Sequence, residues 1–372
     1  MSLRFHWRLP LGGESSAVTM ASQNQMPAIG LPDLAKQIHF CRQAEQCGID
    51  SLLTDFGFAK PDPILLAAAL GLATEKIKFI VAYRSGLLSP ATFVQQLNTL
   101  SALIDGRFSL NIVNGYSPQE QRSYGDFLSH DERYERTAEF LSICHAFWKR
   151  ESEVNFAGKY YTVENGKLHT PFVSSERSFP EIFIAGSSPP AQRLAIRQGT
   201  CWIRLADTPE RIRAEALSIS RQGIDVGLRL SVITRPTREQ ARAAAYALIS
   251  DFDTGQKEFM SSSDSKSIKA TYELSEAEWL SPYFWTGAVP YIGPTAVSLV
   301  GTPEDMANAF MEYKNAGVSQ FILSGWPKLE EMMRFGREVL PLIRKRETRY
   351  RTGSGSDRVE YSPCVILGLY IA

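Results

Sequence analysis

The sequence predicts an α/β protein folded as a closed (β/α)8 TIM barrel. Three observations carry that expectation. Short apolar runs recur eight times: Leu3–Leu9, Asp50–Thr54, Ile77–Arg84, Arg107–Asn114, Glu181–Gly186, Thr200–Ala206, Gly227–Thr234 and Ser319–Gly325. They read as continuous Val/Ile/Leu/Phe stretches and not as alternation, the pattern of strands buried on both faces. Each closes on a polar or glycine-bearing turn and leads into a helical pattern, the order of a parallel barrel. Chemistry in such a barrel lies at the C-terminal strand ends, so the residues after each run are the candidates.

The helices can be justified in turn. Pro32–Cys47 has helical spacing, with Pro32 and Asp33 in its first turn and Gly48 in position to end it. Pro90–Ile104 is opened by Ser89 and Pro90 as N-cap and first residue. His130–Trp148 begins near Ser129, with Asp131 and Glu132 at the positive end of its dipole. Val154–Val163 carries β-formers on either side of Ala157-Gly158 and reads as a hairpin inserted before the fifth strand. Thr208–Gln222, Thr237–Phe252 and Thr302–Ala316 are helices with a threonine able to cap each.

The 372 residues exceed a bare barrel by roughly a hundred, which calls for insertions or tails. One barrel domain over residues 1–348 is expected, because no Pro/Gly/Ser-rich linker divides the pattern. Asp253–Thr295 reads as a long insertion after strand seven, mobile in part, with an aromatic cluster of Trp279, Tyr283, Phe284, Trp285 and Tyr291. Insertions of that length often act as lids. Residues 349–372 form a tail, basic and Gly/Ser-rich and then apolar, expected to be disordered, docked or foreign to the native gene.

Forty basic and forty acidic residues cancel, which argues against nucleic acid or a membrane surface as partner. No signal-peptide pattern opens the chain, and no apolar stretch reaches about 18 residues. Five scattered cysteines without metal spacing read as reduced thiols in a cytoplasmic protein. No metal is expected, since no carboxylate/histidine cluster follows a strand.

Three constellations carry chemistry. Ala185-Gly186-Ser187-Ser188-Pro189-Pro190 ends a buried strand and opens a helix. Free N–H groups and two hydroxyls there suit an anion, or Ser188 simply caps the helix. Asn111 and Asn114 fall at the end of strand four, with Glu120 beyond. Their amides suit a ring edge that both donates and accepts, or Asn114-Gly115 merely closes the strand as a turn. His130, Arg133 and Tyr134 share a helix face and can grip a phosphate, or form a solvated helix start.

Taken together, these segments resemble the bacterial luciferase-like flavin monooxygenases, and within them the two-component FMN-dependent group that includes alkanesulfonate monooxygenase. The matching segments are Asp105-Gly106-Arg107-Phe108, Leu110–Gly115, Leu128–Glu135, Ala185–Ser188 and Ile322–Pro327. The resemblance implies an FMN site. Thr54 would contact the ring region, Asn111 would bond the ring edge, and Glu120 would lie beside the cofactor. His130, Arg133 and Tyr134 would hold the ribityl-phosphate side, with Ser187 and Ser188 at the phosphate. It also implies a non-prolyl cis peptide near Ala82-Tyr83.

The substrate side departs from alkanesulfonate monooxygenase. Gly12, Lys60, Ser231, Ile292 and Trp326 stand where that enzyme has histidine, cysteine, histidine, arginine and tyrosine, whereas Arg229 and Arg84 persist. Arg229, Arg84, His6 and Ser231 are the candidate catalytic residues, the arginines to stabilise a peroxide or an anionic group and His6 as an acid/base. Trp7, Phe56, Tyr291 and Trp326 are the candidate substrate contacts, or else core packing. The expectation is therefore a two-component enzyme that uses reduced FMN and O2 to oxygenate a natural-product intermediate or organosulfur compound. The FMN would come from a separate NAD(P)H:FMN reductase, and the enzyme would be a homodimer or homotetramer. An F420-dependent hydride-transfer enzyme, a non-catalytic flavin-binding subunit and a phosphosugar-binding barrel are the alternatives.

Overall fold

A computed structural model describes residues 2–11, 32–57, 60–149, 153–250, 252, 263 and 265–352. The first half runs β1 (Arg4–Arg8), α1 (Leu34–Gln46), β2 (Ser51–Thr54), α2 (Pro63–Leu72), β3 (Lys78–Tyr83), α3 (Pro90–Leu103), β4 (Phe108–Ile112), α4 (Pro118–Ser123) and α5 (His130–Trp148). A hairpin of β5 (Val154–Ala157) and β6 (Thr162–Gly166) follows, then β7 (Glu181–Ala185), α6 (Pro189–Gln198), β8 (Cys201–Leu205), α7 (Pro209–Ser220), β9 (Asp225–Thr234) and α8 (Arg238–Ile249). The described chain resumes with α9 (Lys266–Leu274), β10 (Phe284–Trp285), α10 (Val289–Ile292), β11 (Ser298–Gly301), α11 (Pro303–Asn315), β12 (Gln320–Gly325), α12 (Lys328–Arg334), one π-helical turn (Phe335–Val339) and α13 (Leu340–Thr352).

Each of the eight apolar runs is a strand, and they close a parallel ring in the order β1-β2-β3-β4-β7-β8-β9-β12 and back to β1. Alternation along each strand sorts the side chains into two cores. Phe79, Val81 and Tyr83 of β3 face the helices with Phe5, Trp7, Leu52 and Leu110. Ile80 and Ala82 face inward with Leu53, Phe183, Cys201, Ile203 and Ile322, a small apolar plug that fills the ring. Polar inward residues are left to the two ends. At the N-terminal end Arg4 binds Glu181 (2.8 Å) and Asp225 (2.6 Å), and the buried Gln320 donates to both carboxylates. One network thus ties together the first residues of β1, β7, β9 and β12.

Local chemistry sets the helix starts. Asp62 accepts from the Ile64 and Leu65 amides with Pro63 in the first turn, and Ser89 accepts from Thr92. Ser129/Glu132 and Thr302/Asp305 form capping boxes. Thr208 makes no side-chain cap bond, unlike Thr237. The Asp105–Phe108 motif is structural: Arg107 donates to the carbonyls of Gly71, Thr74 and Ile77, which fastens the α2–β3 turn to β4. α2 and α3 contain no charged residue, yet leave Leu65 (72%), Leu72 (65%) and Leu103 (48%) exposed.

Three expectations change. The described part of the insertion, 263 and 265–295, is packed structure. β9 pairs with β8 through Asp225–Arg229 and, beyond that, with β11 through Ser231–Thr234, and β10 adds to β11 antiparallel. Trp285 is buried against Trp279 and Tyr246 in a separate cluster with Ile233, Ala241 and Val300. Residues 253–262 and 264, where a mobile part was expected, lie outside the described residues. Among the described residues the one cis peptide is Trp326–Pro327, so Ala82–Tyr83 is trans. The last helix runs to Thr352, and 353–372 lie outside the described residues.

Ser2 and Leu3, before β1, meet α13 at Glu347. It accepts from the Ser2 hydroxyl (2.6 Å), the Leu3 amide (2.7 Å), Lys314 of α11 (2.6 Å) and Arg344 (2.8 Å). Burial opposes its ionisation, but these donors prevail and hold its pKa at about 2. A carboxylate depressed in the folded state contributes stability above its unfolded pKa and loses it as pH falls through the folded value. Glu347→Gln should therefore lower stability by roughly 1–3 kcal/mol near pH 7. In denaturant melts the difference from wild type should shrink as pH drops from about 4.5 towards about 2. A difference that stayed constant across that window would refute the ionic role.

Candidate active site

The C-terminal mouth of the ring is polar for the reason its base is: inward positions that the apolar plug does not fill meet water or one another. Four strands and the turns after three others supply most of the groups. Arg84, directly after β3, is buried and donates through Nη2 to Glu120 of α4 at 2.6 Å. Its guanidinium lies over Phe56 (4.9 Å) and Tyr124 (5.6 Å), while its Nε and Nη1 reach no acceptor. Phe56 also meets Tyr83 and Tyr124 edge-on or tilted, so the loop after β2 and the end of α4 close over the arginine.

Asp55, the residue after β2, accepts from Arg8 of β1 (2.5 Å) and pairs with Lys60 (3.3 Å). Burial opposes its charge, but Lys60, Arg8 and Arg229 outweigh it and hold the carboxyl well below its usual range. Arg229 of β9 is buried and donates to the carbonyls of Leu230 (2.9 Å) and Ile322 (3.2 Å) and to the Ser324 hydroxyl (2.9 Å). Ser231 joins this group, donating to the Thr295 carbonyl (2.9 Å) and lying 3.1 Å from Ser324. Desolvation brings the Arg229 guanidinium down to about 10, and burial beside Arg8 brings Lys328 down to about 7. Burial likewise lowers Lys60.

The opposite side of the mouth holds the Gly186–Ser188 turn. Gly186 has φ +129°, and a Cβ there would lie 2.5 Å from the Tyr134 hydroxyl. Only glycine lets the turn approach so closely. Tyr134 donates to the Ala185 carbonyl (3.1 Å), His130 packs on the Tyr134 ring (5.0 Å between centroids), and Trp202 donates to the Gly186 carbonyl. Ser188 occupies the N-cap of α6, but its hydroxyl caps nothing: Oγ is buried without a hydrogen-bond partner. The capping alternative for Ser188 therefore fails. Asn111 on β4 likewise buries Oδ1 with no partner. Two unmet polar atoms on this side are what an incoming ligand would satisfy, since leaving them so costs about 1–3 kcal/mol each.

Other expected residues take different places. His6 faces the ring interior, but its Nε2 pairs with Gln320 Oε1 (2.9 Å) and its ring meets Phe183 edge-on, so it belongs to the base network and not the mouth. Trp7 points out of the ring and packs on Phe335, sealed from any ligand there. Thr54 is fully buried and donates to the Ile80 carbonyl, which turns its hydroxyl onto β3. Arg133 donates to the carbonyls of Asn114 and Leu128, a brace between the β4–α4 loop and α5. Asn114 faces Thr137 (2.7 Å), which also bonds Ser85. Tyr291 packs on Phe252, and Trp326 is half-buried against the Ile233–Trp285 cluster. Gly12 lies outside the described residues. Arg8, Asp55 and Tyr124 went unnoticed in the sequence, although Asp55 directly follows a strand.

The fold agrees with comparisons to known proteins. The luciferase-like monooxygenase model matches residues 5–320. The chain is similar in structure to an EDTA monooxygenase from Chelativorans sp. BNC1, with 20% identity, 95% of this chain and 98% of that one covered, and a TM-score of 0.74. A riboflavin lyase bound to modified FMN and riboflavin matches at 19% identity over 93% and 92% of the two chains, with a TM-score of 0.70. An F420-dependent secondary alcohol dehydrogenase matches at 16% identity over 92% and 99%, with a TM-score of 0.65. At these identities the structural matches speak for the fold, while the model spanning 5–320 identifies the lineage: the chain belongs to the luciferase-like monooxygenase family.

Proposed function

We propose that the protein is an FMN-dependent monooxygenase of the two-component kind, which takes reduced FMN from a separate NAD(P)H:FMN reductase and uses O2 to oxygenate an organic substrate. The observation that carries this reading is the buried, unpartnered Ser188 hydroxyl at the N-terminus of α6, beside the Gly186 turn. The residues present fit the cofactor. The amides that open α6, with Ser187 and Ser188, would hold a phosphate at the positive end of the helix dipole. His130 and Tyr134 would flank the chain leading from it, and Asn111 Oδ1 would accept from the ring edge. Bound reduced FMN supplies the electrons that activate dioxygen.

The remaining work falls to the chain. Phe56, Tyr124 and the Arg84–Glu120 pair cover the mouth and exclude water. Arg229, with Ser324 and Ser231, offers a fixed cation and hydroxyls to an oxyanion or anionic substrate group. A natural-product intermediate or an organosulfur compound is the substrate class this reading keeps. An F420-dependent hydride transfer is the second reading, favoured by the F420-dependent dehydrogenase among the similar structures.

We also infer a homo-oligomer. The uncharged α2–α3 surface with Leu65, Leu72 and Leu103 supports it, since apolar side chains grouped this way mark association surfaces.

Three experiments test these readings. Titration should give FMN binding in preference to F420, and reduced FMN with 18O2 should label a product from a panel of organosulfur and aromatic compounds. Tight F420 binding without oxygen consumption would reject the monooxygenase. In the same titration Ser188→Asp should weaken FMN by more than about tenfold, or ~1.4 kcal/mol, by setting like charge against the phosphate. Unchanged affinity would put the phosphate elsewhere. For the assembly, Leu65→Glu with Leu72→Glu should shift the mass seen by light scattering from dimer or tetramer to a smaller species, and an unchanged mass would sink this surface.

A further inference from the structure

Among the described residues around the mouth, buried cationic groups after β3 and on β9 point donors that no carboxylate meets. Arg84 has one partner, Glu120, and keeps Nε and Nη1 buried without an acceptor. Arg229 is buried, its donors end on two carbonyls and a hydroxyl, and among the described residues no carboxylate forms an ion pair with it. Lys60 shares Asp55 with Arg8, and its side chain is the most exposed of these groups, at 28%. A buried guanidinium donor without an acceptor is unfavourable, and such donors persist where a ligand completes them.

One loop gathers these groups. Asp55 reaches Arg8, Phe56 lies under Arg84, and Gly57 leaves room where a Cβ would fall 3.2 Å from Glu120 Oε1 and 3.5 Å from Lys60 Cδ. Lys60 therefore lies between the Asp55–Arg8 pair and the Glu120–Arg84 pair. The Gly186–Ser188 turn follows β7 on the other side of the ring, so the phosphate assigned there does not supply the charge this side lacks.

We propose that Asp55, Phe56, Gly57 and Lys60, which follow β2, form the substrate-recognition element and that the substrate carries an oxyanion, a carboxylate or close equivalent, held between Lys60 and the free donors of Arg84 beside Phe56. The planar guanidinium matches a carboxylate edge, and the flexible ammonium closes on it from the solvent side. Arg229 adds a fixed positive field deeper in the mouth. This inference rests on the mouth being the substrate site of the proposed oxygenase, but it does not depend on which flavin binds.

The test uses matched pairs: hexanoate against hexanamide, decanoate against decanamide, and phenylacetate against phenylacetamide. Each is titrated into the FMN-loaded protein and followed by flavin absorbance and tryptophan fluorescence. The carboxylate of at least one pair should bind more than about tenfold tighter than its amide, about 1.4 kcal/mol. The preference should fall below about threefold in Lys60→Met and recover in Lys60→Arg, with melting temperatures confirming that each variant is folded. Equal affinities in every pair would overturn the proposal, as would a preference that Lys60→Met leaves intact. A Lys60→Met effect confined to reduced FMN would also overturn it, by assigning the cations to the flavin. Titration of FMN-free protein separates the two readings: a carboxylate preference there, with no FMN binding, would sink the flavin assignment and keep this one.

Discussion

Ring closure is the constraint from which the remaining features follow. Eight parallel strands joined edge to edge leave no unpaired ladder, and every second side chain must then point into a space shared by all eight. That space is narrow. Leu53, Ile80, Ala82, Phe183, Cys201, Ile203 and Ile322 fill its middle. Polar groups that point inward can exist only above or below the plug, which makes the two ends of the barrel chemically distinct.

The ends solve the charge problem differently. At the base, one arginine is matched to two carboxylates and a glutamine, with His6 added through Gln320. Its charges are matched within the network, with His6 Nδ1 alone of the named groups left buried without a partner, and the network locks the ring. At the mouth, Arg84 and Arg229 hold donors or charge that the surrounding side chains do not meet. Buried charge that is incompletely paired costs several kcal/mol in stability, and proteins retain it where a ligand or reacting group completes the pairing. The contrast between the two ends points to the chemical one even before any cofactor is considered.

Much of this was legible in the sequence, for identifiable reasons. All eight ring strands announced themselves because burial on both faces demands unbroken apolar runs. The same property concealed which face each residue takes. Trp7 and His6 are neighbours in one such run, and nothing in it says that the tryptophan points to the helices and the histidine to the base. The two-residue β10 is too short to register as a run, and β11 has no place in the alternation of strand and helix that marked the other eight. Ser187, Ser188, Tyr134 and Glu120 were accessible because strand ends and helix starts are sequence features. Arg8 reads as the flank of an apolar run, and Tyr124 reaches Arg84 through a loop whose path only the tertiary fold decides.

The length of β9 has a consequence for how such a protein diversifies. Its first half completes the ring with β8, and its overhang carries β11 and through it β10. That ribbon takes its ladder from a single strand and contributes nothing to closure. The segment hung on it can lengthen, shorten or change sequence while tilt and stagger of the barrel stay fixed. The overhang acts as a socket: interchangeable rims can be tried against an unchanged drum.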